Sequence, residues 1–197
     1  MTAKLPLAAK TKLSFDEFLL FEAGAAEKHE FINGNIKDMA GATTDHNDIA
    51  INIYAHLDNY FFENEDQYKV TNSDTMIYIE DYNKGHYPDA SVVEGDYEYY
   101  NDNKKVITNP LLIFEVLSPS TEEMDEISKF DEYQTLDSSK EYILIHKDKA
   151  YVKTYFREEE DLWRIKIIED LNAEVYFRSI DLKMSMKRIY RKIKFEE

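Results

Sequence analysis

The sequence predicts a mixed sheet flanked by helices, in the α/β or α+β class. Three observations predict it. Ile49, Ile53, Leu57, Tyr60 and Phe61 recur at helical spacing. Short segments with strand patterning follow one another between residues 68 and 168. Residues 111–117 are apolar except at Glu115, and such a run fits a central strand buried on both faces.

Taken in order, Ser14-Phe15-Asp16-Glu17 has the form of a capping box, with Leu13 placed for a staple, and opens a short helix to about Phe21. Residues 29–33 and 35–39 flank Gly34 and read as a hairpin. The long helix runs from Asp45 to about Phe62. Strands are expected over 68–72, 75–80, with Ser73-Asp74 as a turn or bulge between them, and over 87–93 and 111–117. Pro119 ends the last of these, and Ser120 or Thr121 caps a helix to about Leu136. Three strands follow, over 141–146, 151–156 and 163–168. Leu182, Met186, Ile189 and Ile193 on one side predict a short C-terminal helix.

The 197 residues suit one domain over 1–197, because no repeat, low-complexity stretch or Pro/Gly/Ser linker divides them. No run approaches the roughly 18 apolar residues of a membrane span, and the opening MTAKLPLAAKTK is too short and broken for a signal peptide. A cytoplasmic, membrane-free protein is expected. The absence of cysteine excludes disulfides, thiolate nucleophiles and thiolate-bound metals. Forty acids against 24 bases give a net charge of −16, which disfavours loose, charge-driven binding to polyanions. A local basic path or a divalent cation can still reverse the sign in one place. Six of the 24 bases lie between residues 183 and 194, with no acid among them.

Glu115 is the most informative residue, since an unpaired buried carboxylate is costly. It needs either a basic partner across the sheet or a metal. Asp89, in Pro88-Asp89-Ala90-Ser91-Val92-Val93, supplies a second acid at the head of an apolar strand. If the two strands are neighbours, the carboxylates converge, and oxygen ligands alone suit Mg²⁺ or Mn²⁺. Asp125, Lys129 and Tyr133 share one helical row, continued by Leu136. A surface acid–lysine pair explains the first two; a helix capping the end of the central strand would instead bring Lys129 over the carboxylates. His46 begins the long helix, and Glu30 sits in the hairpin, where acids are more often structural. No glycine-rich phosphate loop or nucleophile elbow is present: Ser118 lacks the flanking glycines.

In that order the residues resemble the PD-(D/E)xK nuclease core. Glu115-Val116-Leu117-Ser118-Pro119-Ser120-Thr121, the later Asp125, Lys129 and Tyr133, and the upstream Pro88-Asp89 are similar to the Uma-type family of restriction-endonuclease-like proteins. Glu30-Phe31-Ile32-Asn33-Gly34 resembles its hairpin, Ser14 to Leu19 its first helix, and 141–145 its "eYwlvd" strand. The likeness spans nearly the whole chain. It implies a restriction-endonuclease-like α/β fold: a mixed central sheet flanked by helices, with an N-terminal helix and β-hairpin and extra C-terminal strands. The superfamily places lysine two residues after the second acid, where this chain has Leu117; Lys129 is the implied substitute. The resemblance also raises His46 to a site residue.

The implied activity is a Mg²⁺- or Mn²⁺-dependent endonuclease acting on DNA, with a homodimer supplying two sites for two strands. Asp89, Glu115 and the Val116 carbonyl would bind the cation; Lys129 would position water and stabilise charge. His46 would contact the metal shell or phosphate, while Glu30, Asp125 and Tyr133 support the site. Lys187, Arg188, Arg191 and Lys192 would track the DNA backbone, or form the polar face of a terminal helix. The alternative is a non-catalytic nuclease fold, an interaction module or acidic DNA mimic, which would not require Asp89, Glu115 and Lys129 to converge.

Overall fold

Ser14 starts the first helix by reciprocal capping. Its Oγ accepts a hydrogen bond from the Glu17 amide at 3.2 Å, and its own amide donates to the Glu17 carboxylate at 2.9 Å. Two donors of the helix end are thereby satisfied, and helix α1 runs Phe15–Glu22. The computed structural model describes residues 12–39, 41–64, 67–117 and 128–195. Strands β1 (His29–Ile32) and β2 (Asn35–Asp38) form the expected antiparallel hairpin. Asn33 and Gly34 turn it at φ 50° and 86°, both left-handed, which suits a two-residue connection.

Helix α2 (Thr44–Asn64) buries Ile49, Ile53, Leu57 and Phe61 along one stripe. After it come β3 (Tyr68–Asn72), β4 (Met76–Ile79), β5 (Lys84–His86), β6 (Ala90–Glu94), β7 (Val106–Ile107) and β8 (Leu112–Leu117). Helix α3 (Phe130–Tyr133) precedes β9 (Glu141–His146), β10 (Val152–Glu159) and β11 (Leu162–Ile168). The chain closes with β12 (Glu174–Phe177), β13 (Leu182–Ser185) and α4 (Met186–Ile189).

Two mixed sheets stack on each other. One has six strands in the order β11-β10-β9-β8-β6-β3, with β8 central and parallel to β9. The other has five, in the order β2-β1-β5-β4-β7, and β12 pairs separately with β13. The period-2 alternation of each strand assigns its two faces. Leu112, Phe114 and Val116 pack toward α2 and the C-terminal elements. Ile113 and Leu117 pack with Ile77 and Ile79 of the five-stranded sheet. The far side of that sheet, through Phe31, Met76 and Tyr78, is covered by Phe15 and Phe18 of α1. The layers are therefore helix, sheet, sheet, helix. Among the described residues no helix is long and apolar enough to cross a membrane.

Ser73-Asp74 forms the expected turn, and the strands on either side of it join different sheets. Three expectations need correction. Residues 87–93 are not one strand: β5 ends at His86 and β6 begins at Ala90, because Pro88 has no amide to donate to a ladder. Helix α3 stops at Tyr133, short of Leu136, and its proposed caps Ser120 and Thr121 lie outside the described residues. Leu182 belongs to a strand, since Leu182 and Met184 are buried on either side of an exposed Lys183; the tail helix is only Met186–Ile189.

Candidate active site

Glu115 lies on the face of β8 that looks toward the five-stranded sheet and is 5% exposed. Lys129 Nζ donates to its Oε1 at 3.0 Å, and the Tyr133 hydroxyl donates to the same oxygen at 3.4 Å. Burial drives the Tyr133 hydroxyl well above its usual range, and the charge of Glu115 adds to this, so the phenol remains a donor. Asp89 precedes β6, whose Ala90 registers with Phe114 of β8. That register carries Asp89 to the level of Glu115. Its Oδ2 accepts from the Val116 amide at 2.7 Å, and its Oδ1 lies 2.7 Å from His46 Nε2, in the first turn of α2. The His46 and Asp89 side chains keep 17% and 15% of their surface in solvent; this is the open end of the site.

The closed end lies between the sheets. Glu30 of β1 faces inward beside its cross-strand partner Lys37, and its Oε1 stands 3.5 Å from Lys129 Nζ. His86 Nδ1 lies 2.9 Å from that oxygen, and Lys37 Nζ donates to Oε2 at 3.0 Å. Burial alone would push the Glu30 carboxyl up. The hydrogen bond from His86 and the charges of Lys129, His86 and Lys37 outweigh burial and hold the group well below the usual carboxylate range. Beyond His86, Glu132 of α3 receives its Nε2 at 2.6 Å, together with Lys84 and Ser128 Oγ. Glu132 is likewise held below its usual value: burial opposes this, but His86 and Lys84 prevail.

Glu115, Lys129, Tyr133 and Glu30 thus form one set of contacts, and Asp89, His46 and the Val116 amide a second, joined to it through the backbone between Glu115 and Val116. Asp125, Ser118 and residues 119–121 lie outside the described residues. The basic tail is elsewhere: Lys187, Arg188, Arg191 and Lys192 are exposed. Asn52 of α2 holds it by donating to the carbonyls of Ile189 and Arg191 at 3.1 and 3.0 Å. Sequence reasoning missed Lys37, Lys84, His86, Ser128 and Glu132. The only available signal was the placement of Lys84 and His86 two residues apart, on one face of a strand too short to recognise.

Among the described residues no three His, Asp or Glu side chains form a ready cage for a metal ion. Asp89 and Glu115 sit at adjacent positions of neighbouring strands and offer hard oxygens, with further lone pairs on each carboxylate. That donor set fits Mg²⁺ or Mn²⁺, which are commonly held by one or two carboxylates with water and a phosphate completing the shell.

Mixed sheets flanked by helices put the chain in the α/β class. The fold is shared with a crystal structure described as "a putative nuclease belonging to DUF820" from Anabaena variabilis ATCC 29413, at a TM-score of 0.71 and 18% identity, covering 90% of this chain and 97% of that one. A family model, Uma2, described as "Putative restriction endonuclease", matches residues 15–185, and the chain belongs to that family. Two uncharacterized proteins of Synechocystis sp. are also similar. One is 33% identical over 172 residues, 87% of this chain and 96% of its own length. The other is 30% identical over 195 residues, 99% of this chain and all of its own length.

Proposed function

We propose that this protein is a Mg²⁺- or Mn²⁺-dependent endonuclease that hydrolyses phosphodiester bonds of DNA. The observation that carries this is Lys129 Nζ bonded to Glu115 while Asp89 is bonded to the amide of the next residue, Val116. Asp89, Glu115 and the Val116 carbonyl are the residues that would hold the cation. Bound there, the ion would polarise the phosphate and lower the pKa of its water. Lys129 orients that water and offsets charge developing on the phosphate. His46, at the open end, holds Asp89 and meets the phosphate edge. Tyr133 and Glu30 keep Lys129 in place.

The tail and α2 are joined through Asn52, on the helix whose first turn carries His46. Lys187, Arg188, Arg191 and Lys192 therefore offer a local basic path for a backbone on an acidic protein. Two copies would supply two sites for the two strands of a duplex.

Calorimetry with Mg²⁺ and Mn²⁺ on the wild type, Asp89→Ala and Glu115→Ala, beside nicking of supercoiled plasmid, tests this reading. Metal binding and nicking lost together in both folded variants are expected. A wild type that binds neither ion and nicks no DNA at millimolar metal would sink the proposal.

A further inference from the structure

Lys129 immediately precedes α3, and Glu132 ties that helix to the five-stranded sheet. Its carboxylate reaches β5, where Lys84 and His86 both bind it. On its other side His86 binds Glu30 Oε1, the same oxygen that faces Lys129 Nζ. The ring thus connects the carboxylate beside Lys129 with the helix that follows it. His86, Glu30 and Glu132 are 3%, 5% and 2% exposed, so water does not mediate for them.

Each ring nitrogen has one carboxylate oxygen opposite it, Glu30 Oε1 at 2.9 Å from Nδ1 and Glu132 Oε2 at 2.6 Å from Nε2. The groups facing the ring are Glu30 on β1, Glu132 on α3 and the Tyr133 ring, with centroids 6.0 Å apart. Lys37, Lys84 and Lys129 stand one contact further out.

We propose that His86 is a positioning residue of the site: a ring whose two nitrogens span Glu30 and Glu132 and thereby fix Lys129 against Glu115. Its catalytic consequence rests on the nuclease reading; its geometry does not.

His86→Gln tests it in the full chain, because one amide does not match both ring contacts. With Mn²⁺ and supercoiled plasmid, kcat should fall roughly 10–100-fold, while KM and Mn²⁺ affinity stay within about twofold. The double variant His86→Gln/Glu132→Gln restores the contact between positions 86 and 132. The new amide at position 132 donates to the new side-chain carbonyl at position 86, and its own carbonyl still accepts from Lys84 and Ser128. The double variant should regain about tenfold in kcat, where two unrelated structural losses would add. An unchanged kcat, losses of KM and Mn²⁺ affinity in step with kcat, or a double variant no better than the single would overturn the proposal.

One measurement needs no activity. In a crystal structure of His86→Gln, or of His86→Asn where the first does not fold, Lys129 Nζ should leave Glu115; its retention there overturns the positioning role. If the wild type nicks no DNA, the nuclease reading fails, and this measurement still decides on the bridge.

Discussion

Lys129→Met removes the cation that lies between Glu115 and Glu30 while keeping an unbranched apolar stem of similar length. The ammonium stands 3.0 Å from Glu115 Oε1 and 3.5 Å from Glu30 Oε1, and its side chain is 10% exposed. Removing one partner of a buried pair costs about 3–5 kcal/mol, because the remaining charge is left uncompensated. Glu30 keeps His86 and Lys37, so its share of the loss is small. Glu115 keeps the Tyr133 hydroxyl at 3.4 Å. Both carboxylates therefore retain a partner, and about 3 kcal/mol is expected, the lower end of that range. Urea denaturation reads it directly, with Trp163 as reporter, since its ring lies 5.2 Å from that of Phe130, the first residue of α3. The midpoint should fall with the slope unchanged. Adding Glu115→Gln should recover most of the loss, since a neutral amide does not need the cation. A loss under about 1 kcal/mol, or a double variant no more stable than the single, would refute a buried, mutually dependent pair.

Three other outcomes are expected. Burial raises the Glu141 carboxyl to about 7 despite hydrogen bonds from the Ser179 amide and hydroxyl. The folded chain thus keeps a proton that the unfolded chain releases above its usual 4.5. Stability should fall as pH rises through that window by up to about 3 kcal/mol, at about 1.4 kcal/mol per pH unit; Glu141→Gln should flatten the trend in denaturation series at mildly acidic and mildly alkaline pH. At Gly34, with φ 86°, an added Cβ would meet Lys12 Cβ at 2.7 Å and the Leu13 carbonyl at 3.1 Å. Gly34→Ala should therefore cost more than about 1 kcal/mol, seen as a lower melting temperature. If the tail tracks DNA, Lys187→Ala and Arg191→Ala should each reduce the slope of log affinity against log salt by about 1 in fluorescence anisotropy; unchanged slopes would remove the tail from the interface.

The elements legible in the sequence are those whose cause is local. The apolar stripe of α2 and the single charge in residues 111–117 carry their own explanation, and so does the capping box at Ser14. Strand β5 does not. Lys84-Gly85-His86 has no β-branched residue, and glycine weakens a strand. It is a strand because of what packs on it: a Cβ at Gly85 would meet Met76 Sδ at 2.7 Å and Phe15 Cε2 at 3.1 Å. Only the close approach of α1 and β4 gives that glycine a reason, and it turns Lys84 and His86 toward the other sheet. The tail was misread because Leu182, Met186 and Ile189 satisfy helical spacing while Leu182 and Met184 also satisfy strand spacing. Pairing of Glu174 through Phe177 with residues 182–185 decides between them, and no local pattern contains it.

The layer between the two sheets contains its own comparison. In one part Ile77, Ile79, Ile113, Leu117 and Leu144 fill it with aliphatic packing. Alongside, β1, β5, β8 and the segment of α3 bury Glu30, His86, Glu115, Lys129 and Glu132. A buried ionic cluster of this kind is commonly no more stable than apolar residues of similar volume, so packing alone does not call for it. Its orientation favours a different reason. The network is closed by mutual contacts at its inner end and ends outward at Asp89 and His46, where solvent reaches. Under the proposed function, the carboxylate pair and the fixed lysine would face a cation and a phosphate, and the net charge of −16 would leave recognition of DNA to the cation and the basic tail rather than to the surface as a whole.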